Sequence, residues 1–222
     1  MPGIASYSHA RDNMVLGQLL PGMVTAKSIL KIMSKIPREE FVPPSLSYLS
    51  YADKAVEISE NRYLLAPMVL GRLLQEAELT KKDKVLDIGF GTGYSTILLS
   101  FLTHRVVGLE SDQTLVERLK STLLEYEISN VLPVYGLLLE GCTKEALYDV
   151  IFIQGAVHTI PSSLKAQVSE GGRIVTMQKK NLYGPSYGVI MSKNAGVWTE
   201  RHFFTAATPC LKEFEKEKEF SL

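Results

Sequence analysis

The chain has 222 residues, enough for one domain with a sizeable core. Its 24 basic and 24 acidic residues cancel, so there is no basic excess for a phosphate backbone and a nucleic-acid partner is not expected. No apolar run reaches bilayer length, and the opening "MPGIASYSHARDN" lacks the basic-then-apolar order of a secretory signal.

Cys142 and Cys210 lie far apart, without the spacing of a disulfide framework or a zinc site. Free thiols, a reducing cytoplasmic compartment and no bound metal are expected. The sequence carries no signal for an oligomeric state.

From Ser8 to Leu79 the chain reads as helices and loops. "SHARDNMVLGQLL" and "TAKSILKIMSK" have helical spacing, and each is followed by a proline. Thr25 is expected to cap the second, whose apolar face is Ile29, Leu30, Ile32 and Met33. "FVPPSLSYLSYADKAVEI" is proline-rich and reads as loop. "PMVLGRLLQEAEL" restores the helical period, with proline suited to a first turn.

From Lys84 the pattern changes. "KVLDIG", "RVVGLE", "NVLPVYG", "YDVIFIQG" and "GRIVTMQ" are short, nearly unbroken apolar runs that suit strands buried on both faces. "TGYSTILLSFLT" and "SDQTLVERLKSTLLEYE" lie between them at helical period, with Ser111 or Asp112 available as a cap. This alternation predicts a parallel sheet covered by helices. "SYGVIMSKNAGVWTERHFFTAAT" predicts two strands around an Asn-Ala-Gly turn, an antiparallel edge to that sheet. The charged "KEFEKEKEF" reads as a solvated helix end or a disordered tail.

"KVLDIGFGTGYSTILLS" is the most informative stretch. In a strand–turn–helix context, Gly89, Gly91 and Gly93 allow a sharp turn and a close approach of ligand to backbone amides. Ligands of doubly wound sheets bind at the carboxyl ends of strands, where the winding reverses. A dinucleotide fold wants G-x-G-x-x-G, whereas this turn is G-x-G-x-G with an acid two positions before it. Asp87 suits a ligand carrying an ammonium group, and Glu110, ending the next strand, suits a ribose diol. The acid, glycine turn and second acid together resemble motif I and its partner in class I S-adenosylmethionine-dependent methyltransferases. A nicotinamide dehydrogenase is the chief rival for the turn.

The flanks narrow the resemblance. "MVLGQL", "ILKIMSKIPREEFVPPSLSYLSYADKAVEI" and "YDVIFIQGAVHTIPSSLKAQVSEGGRIV" are similar to segments of protein-L-isoaspartate O-methyltransferases, over roughly residues 12–177. The resemblance implies a Rossmann-like class I methyltransferase fold: a mostly parallel, doubly wound α/β sheet with an antiparallel C-terminal edge. Residues 1–80 would form an N-terminal helical extension over the active-site side, 81–210 the cofactor-binding core and 211–222 a charged tail, all in one compact unit. It also implies S-adenosylmethionine as cofactor and a protein or peptide carboxylate as acceptor, with isoaspartyl residues the nominal substrate in protein repair. Asp87, Gly89, Phe90, Gly91, Thr92, Gly93, Glu110, Leu137 and Gln154 would line the cofactor.

Two positions depart from the family pattern. The family carries Thr-Ile-Ser-x-Pro before the core, its serine hydroxyl touching the acceptor carboxylate; here the stretch is "NRYLLAP", with Leu65 at the serine position and Tyr63 at the threonine. Leucine has neither donor nor acceptor. The family's Gly-Asp-Gly, whose acid meets the adenine amino group, is replaced by "VYGLLLEG", with Leu137 at the acid. Either the acceptor differs, with Arg62, Tyr63 and His158 as candidates to define its site, or the chain binds cofactor with little catalysis. Asp149, at the start of its strand, is expected to be structural.

Overall fold

The structure is a computed structural model and describes residues 4–181 and 184–215. Seven strands form one sheet in the order β5-β4-β3-β6-β7-β8-β9, where β3 is Lys84–Ile88, β4 Arg105–Glu110, β5 Val131–Tyr135, β6 Tyr148–Val157, β7 Val168–Gln178, β8 Ser186–Asn194 and β9 Val197–Ala206. The first five in that order pair parallel, while β7–β8 and β8–β9 pair antiparallel. Helices α4 (Tyr94–Leu102) and α5 (Gln113–Glu125) supply the crossovers between β3, β4 and β5. The winding reverses between β3 and β6, so the tips of β3, β4 and β6 converge on one crevice.

Burial follows the sequence pattern. Every residue of β3 from Val85 onward is buried, as is all of β6 except Asp149, because helices cover both faces of these central strands. β9, at the sheet edge, is mostly exposed. Asp112 caps α5, its Oδ1 accepting from Thr114 N at 2.8 Å. Asp149 does structural work at the far end of β6, accepting from Lys84 N at 2.8 Å. No helix among the described residues is long and apolar enough to cross a membrane.

The N-terminal region contains α1 (Ile4–Met14), which continues as a π-helical turn over Val15–Leu19, then α2 (Lys27–Met33) and α3 (Pro67–Glu76). Two expectations need correction here. Thr25 does not cap α2; Gln75 of α3 reaches across, its Oε1 accepting from Thr25 N at 2.6 Å and Ala26 N at 3.0 Å. The loop reading of the proline-rich stretch and its sequel also misses a hairpin, β1 (Val56–Ser59) with β2 (Arg62–Leu64). At four and three residues, these strands are too short for alternation to stand out.

The charged tail begins later than the boundary at 211. Leu211 and Phe214 are buried in the core cluster that contains Ile88, Leu109 and Leu138. Residues 216–222, the rest of that tail, lie outside the described residues.

Candidate functional site

The glycine turn joins β3 to α4 with Gly89, Gly91 and Gly93 at φ +70°, +59° and +94°, values that a Cβ would oppose. Space is short as well: a Cβ on Gly91 would lie 2.6 Å from Ile58 of β1. Phe90 packs over Gly108 of β4. Thr92 donates to the Phe41 carbonyl at 2.6 Å, tying the turn to the N-terminal region.

Asp87, in β3, is fully buried. Ser95 and Thr96, on the first turn of α4, donate to its Oδ2 at 2.8 and 2.7 Å, and Gln154 of β6 donates to Oδ1 at 2.7 Å. Burial pushes the carboxyl up to about 6; the three donors oppose that rise, and Glu110 adds to it. Gln154 sits where β6 loses register with β7, between Phe152 and Ala156. Thr176 bridges this irregularity by donating to the carbonyls of Ile153 and Gly155 at 3.3 and 3.0 Å.

Glu110, at the tip of β4, is also fully buried. Arg62 Nε donates to both its oxygens, at 2.9 and 3.0 Å, and Arg62 Nη2 lies 2.8 Å from Oε1. Gly91 N donates to Oε2 at 3.0 Å and Ser111 N to Oε1 at 2.7 Å. A carboxylate offers about four lone-pair sites, and these N–H groups use them. Arg62 in turn meets Glu213, Nη2 to Oε1 at 2.6 Å and Nη1 to Oε2 at 3.3 Å, and Ser111 Oγ at 2.8 Å. Burial alone would lower the Arg62 pKa, but its bonds to the two glutamates outweigh burial and raise it. Arg62 likewise holds Glu213 below the ordinary carboxylate range despite partial burial.

Above the turn runs the segment after β9. Pro209 O accepts from Ala156 N at 2.8 Å, Leu211 N donates to Ala156 O at 3.0 Å, and Phe214 O accepts from His158 N at 3.2 Å. Leu211 is 1% exposed. Its side chain lies where a Cβ on Gly89 would meet it at 3.1 Å and one on Gly155 at 2.7 Å. Glycine at 155 is what lets this segment lie against β6.

The remaining candidates are spread out. Leu65 is 2% exposed and packs in the core, its carbonyl accepting from the fully buried Arg38 Nη2. Tyr63 is half-buried in β2, opposite Glu57. His158 follows β6 at the crevice rim, partly exposed. Leu137 is 63% exposed, while its neighbour Leu138 packs inward toward Gly89. The structure therefore brings together Asp87, the glycines, Phe90, Thr92, Glu110, Gln154 and Arg62, and leaves Leu137 on the surface. Ser95, Thr96, Ser111, Leu211 and Glu213 were not anticipated. Of these, Leu211 carries a signal, as an apolar residue three before Phe214 at the start of a charged stretch.

These residue types suit an aminoacyl nucleoside, and in this conformation the protein's own side chains occupy the places it would take. A ribose diol needs free acceptor positions on Glu110, and Arg62, Gly91 and Ser111 use them. A ligand against Gly89 needs the room that Leu211 fills.

The model of the protein-L-isoaspartate(D-aspartate) O-methyltransferase family matches residues 10–183. The chain belongs to this family. Its similarity to curated members extends over most of its length. The protein-L-isoaspartate O-methyltransferase of Protochlamydia amoebophila is 35% identical over 162 residues, which is 73% of this chain and 77% of that protein. Protein-L-isoaspartate O-methyltransferase 2 of Shewanella sediminis is 33% identical over 169 residues, 76% of this chain and 69% of that one. Members of the family are S-adenosylmethionine-dependent enzymes that methylate protein carboxylates.

Solved structures bear on the fold. A protein-L-isoaspartate O-methyltransferase superposes with a TM-score of 0.75 at 24% identity, over 90% of this chain; the match spans 65% of that longer chain. A putative family member from Plasmodium falciparum, solved with S-adenosyl-L-homocysteine, gives 0.75 at 18% identity over 93% of this chain and 98% of its own. The expected doubly wound sheet with an antiparallel edge is thus the fold of this family.

Proposed function

We propose that the chain transfers the methyl group of S-adenosylmethionine to a carboxylate on a protein or peptide, nominally that of an L-isoaspartyl residue. One observation carries this reading: in a chain of this family, Asp87, the Gly89–Gly93 turn and Glu110 occupy adjoining strand tips where the winding reverses. Asp87, Gly89, Phe90, Gly91, Thr92, Gly93, Glu110 and Gln154 are the cofactor set in this reading, with Leu137 at its outer edge. A carboxylate acceptor is already ionised at neutral pH, so the transfer needs no general base. The protein contributes orientation and exclusion of water. The reading places the chain in the cytoplasm, where Cys142 and Cys210, both free thiols, stay reduced.

Leu65 favours a second reading of the acceptor. With a buried leucine at the position of the family's serine, no hydroxyl is offered to an isoaspartyl carboxylate there, and Tyr63 and His158 remain as polar groups of the rim. The test is transfer of radiolabelled methyl to an isoaspartyl peptide and to its aspartyl twin, by the natural chain and by Leu65→Ser. The natural chain is expected to label the isoaspartyl peptide weakly and the twin not at all. Leu65→Ser should raise the rate roughly tenfold or more, the scale of a restored positioning contact. Because truncating a buried leucine costs about 2–5 kcal/mol, rates are compared per folded molecule. Brisk labelling by the natural chain would show the serine to be dispensable. Absence of labelling with every protein acceptor, from a chain that binds S-adenosylhomocysteine, would sink the transferase reading.

A further inference from the structure

We infer that the C-terminal segment Pro209–Glu215 is an intramolecular competitor of the cofactor, latched in the crevice by the Arg62–Glu213 ion pair. The inference rests on the methyltransferase reading of the crevice and adds its regulation.

The segment takes the two places that a nucleoside would need. Leu211 fills the space against Gly89 and Gly155, and Arg62, pinned from the other side by Glu213 at 2.6 Å, occupies Glu110. The two contacts reinforce each other. Glu213 seats Arg62 on Glu110 only while Leu211 and Phe214 hold the backbone of 209–214 against Ala156 and His158. A guanidinium so placed presents donors to Glu110, as the hydroxyls of a ribose would.

The segment is also separable from the fold. The seven strands of the sheet pair without it; its backbone meets β6 at an isolated bridge between Ala156 and Cys210, with Leu211 packed on Gly155 and Phe214 O bonded to His158 N beyond it. Among the described residues no strand of the sheet follows it. The segment is held by the side chains of Leu211, Glu213 and Phe214 and by backbone bonds to Ala156 and His158 rather than by a place in the sheet, and a ligand that binds only the open form shifts the population toward it.

The experiment uses the full chain and substitutions confined to the segment, which leave every residue of the cofactor set intact. S-adenosylhomocysteine is titrated calorimetrically into the natural chain, Leu211→Ala/Glu213→Ala and, separately, Phe214→Ala. Circular dichroism confirms that each variant is folded. In parallel, trypsin cleavage after the exposed Lys212 is timed with and without S-adenosylhomocysteine. The expected result is at least tenfold tighter binding by the double variant, tightening of the same sign by Phe214→Ala, and faster cleavage of the natural chain when the nucleoside is present. Folded variants that bind with the affinity of the natural chain would overturn the inference and leave the methyltransferase reading standing. Absence of binding by all three chains would overturn both, since there would be no cofactor for the segment to exclude. Tightened binding without methyl transfer to any acceptor would support the competition and remove only the transferase reading.

Discussion

Asp87 and Glu110 are two buried carboxyls that the fold treats differently. Glu110 has a cation against it, and removing one partner of such a buried pair leaves an uncompensated charge that typically costs about 3–5 kcal/mol. Asp87 is buried with no cation beside it, so desolvation disfavours its ionised form and pushes its pKa up from 3.8 to about 6 against the pull of its three neutral donors. Between these values the folded chain keeps a proton that the unfolded chain has released. Stability from this group is therefore full below about pH 4 and is lost as pH rises through about 6, a swing of roughly 3 kcal/mol. Urea unfolding at a series of pH values checks this. Relative to the natural chain, Asp87→Asn should lack that decline between pH 4 and 6, and identical slopes would refute it. Glu213, whose pKa is depressed by Arg62, acts in the opposite sense at lower pH and is common to both chains. Sequence reasoning finds Asp87 because it stands two residues before the glycine turn, and Glu110 because it ends the next apolar strand. It cannot see that Arg62, 48 residues before Glu110, saturates that carboxylate.

At the scale of elements, local signals succeed where the partner is near in the chain. Asp112 caps α5 through Thr114, two residues on, and Pro67 opens α3. They fail where the partner comes from another element. The start of α2 is held by Gln75, about 50 residues away, which accepts from two backbone N–H groups and donates to Met23 O at 2.9 Å. Gln75→Ala should therefore lower stability by about 0.5–2 kcal/mol, the scale of a lost helix cap. Thr25→Ala should change it by less than about 0.5 kcal/mol, because Thr25 Oγ1 makes only a 3.5 Å contact. Chemical denaturation of both variants decides the point; the reverse order would restore Thr25 as the cap. The hairpin β1–β2 is a similar case. Its strands pair with each other, but what anchors them is Ile58 packing on Gly91 and Arg62 reaching Glu110, contacts outside the hairpin.

At the scale of the molecule, the N-terminal region and the sheet are joined by buried polar contacts as well as by a shared core. Thr92 bonds the Phe41 carbonyl, Arg62 bonds Glu110, and Arg173 of β7 reaches the Ala77 carbonyl. A core cluster running from Met14 and Leu19 through Leu70 to Val175 and Ile190 crosses the nominal boundary at residue 80. The chain is therefore expected to unfold in one transition. Fluorescence of Trp198, on the edge strand β9, and far-ultraviolet circular dichroism should give coincident urea midpoints; separated midpoints would show two cooperative units. The strand–helix alternation, the antiparallel edge and the acid–glycine–acid pattern could be read from residues alone, because burial period and turn chemistry are properties of neighbouring residues; the order of the strands came from the fold. The closure of the crevice could not be read in that way. It depends on Leu211, Glu213 and Arg62 arriving at one place from distant parts of the chain, and a charged stretch reads as solvated until the fold supplies a cation and an apolar slot to receive it.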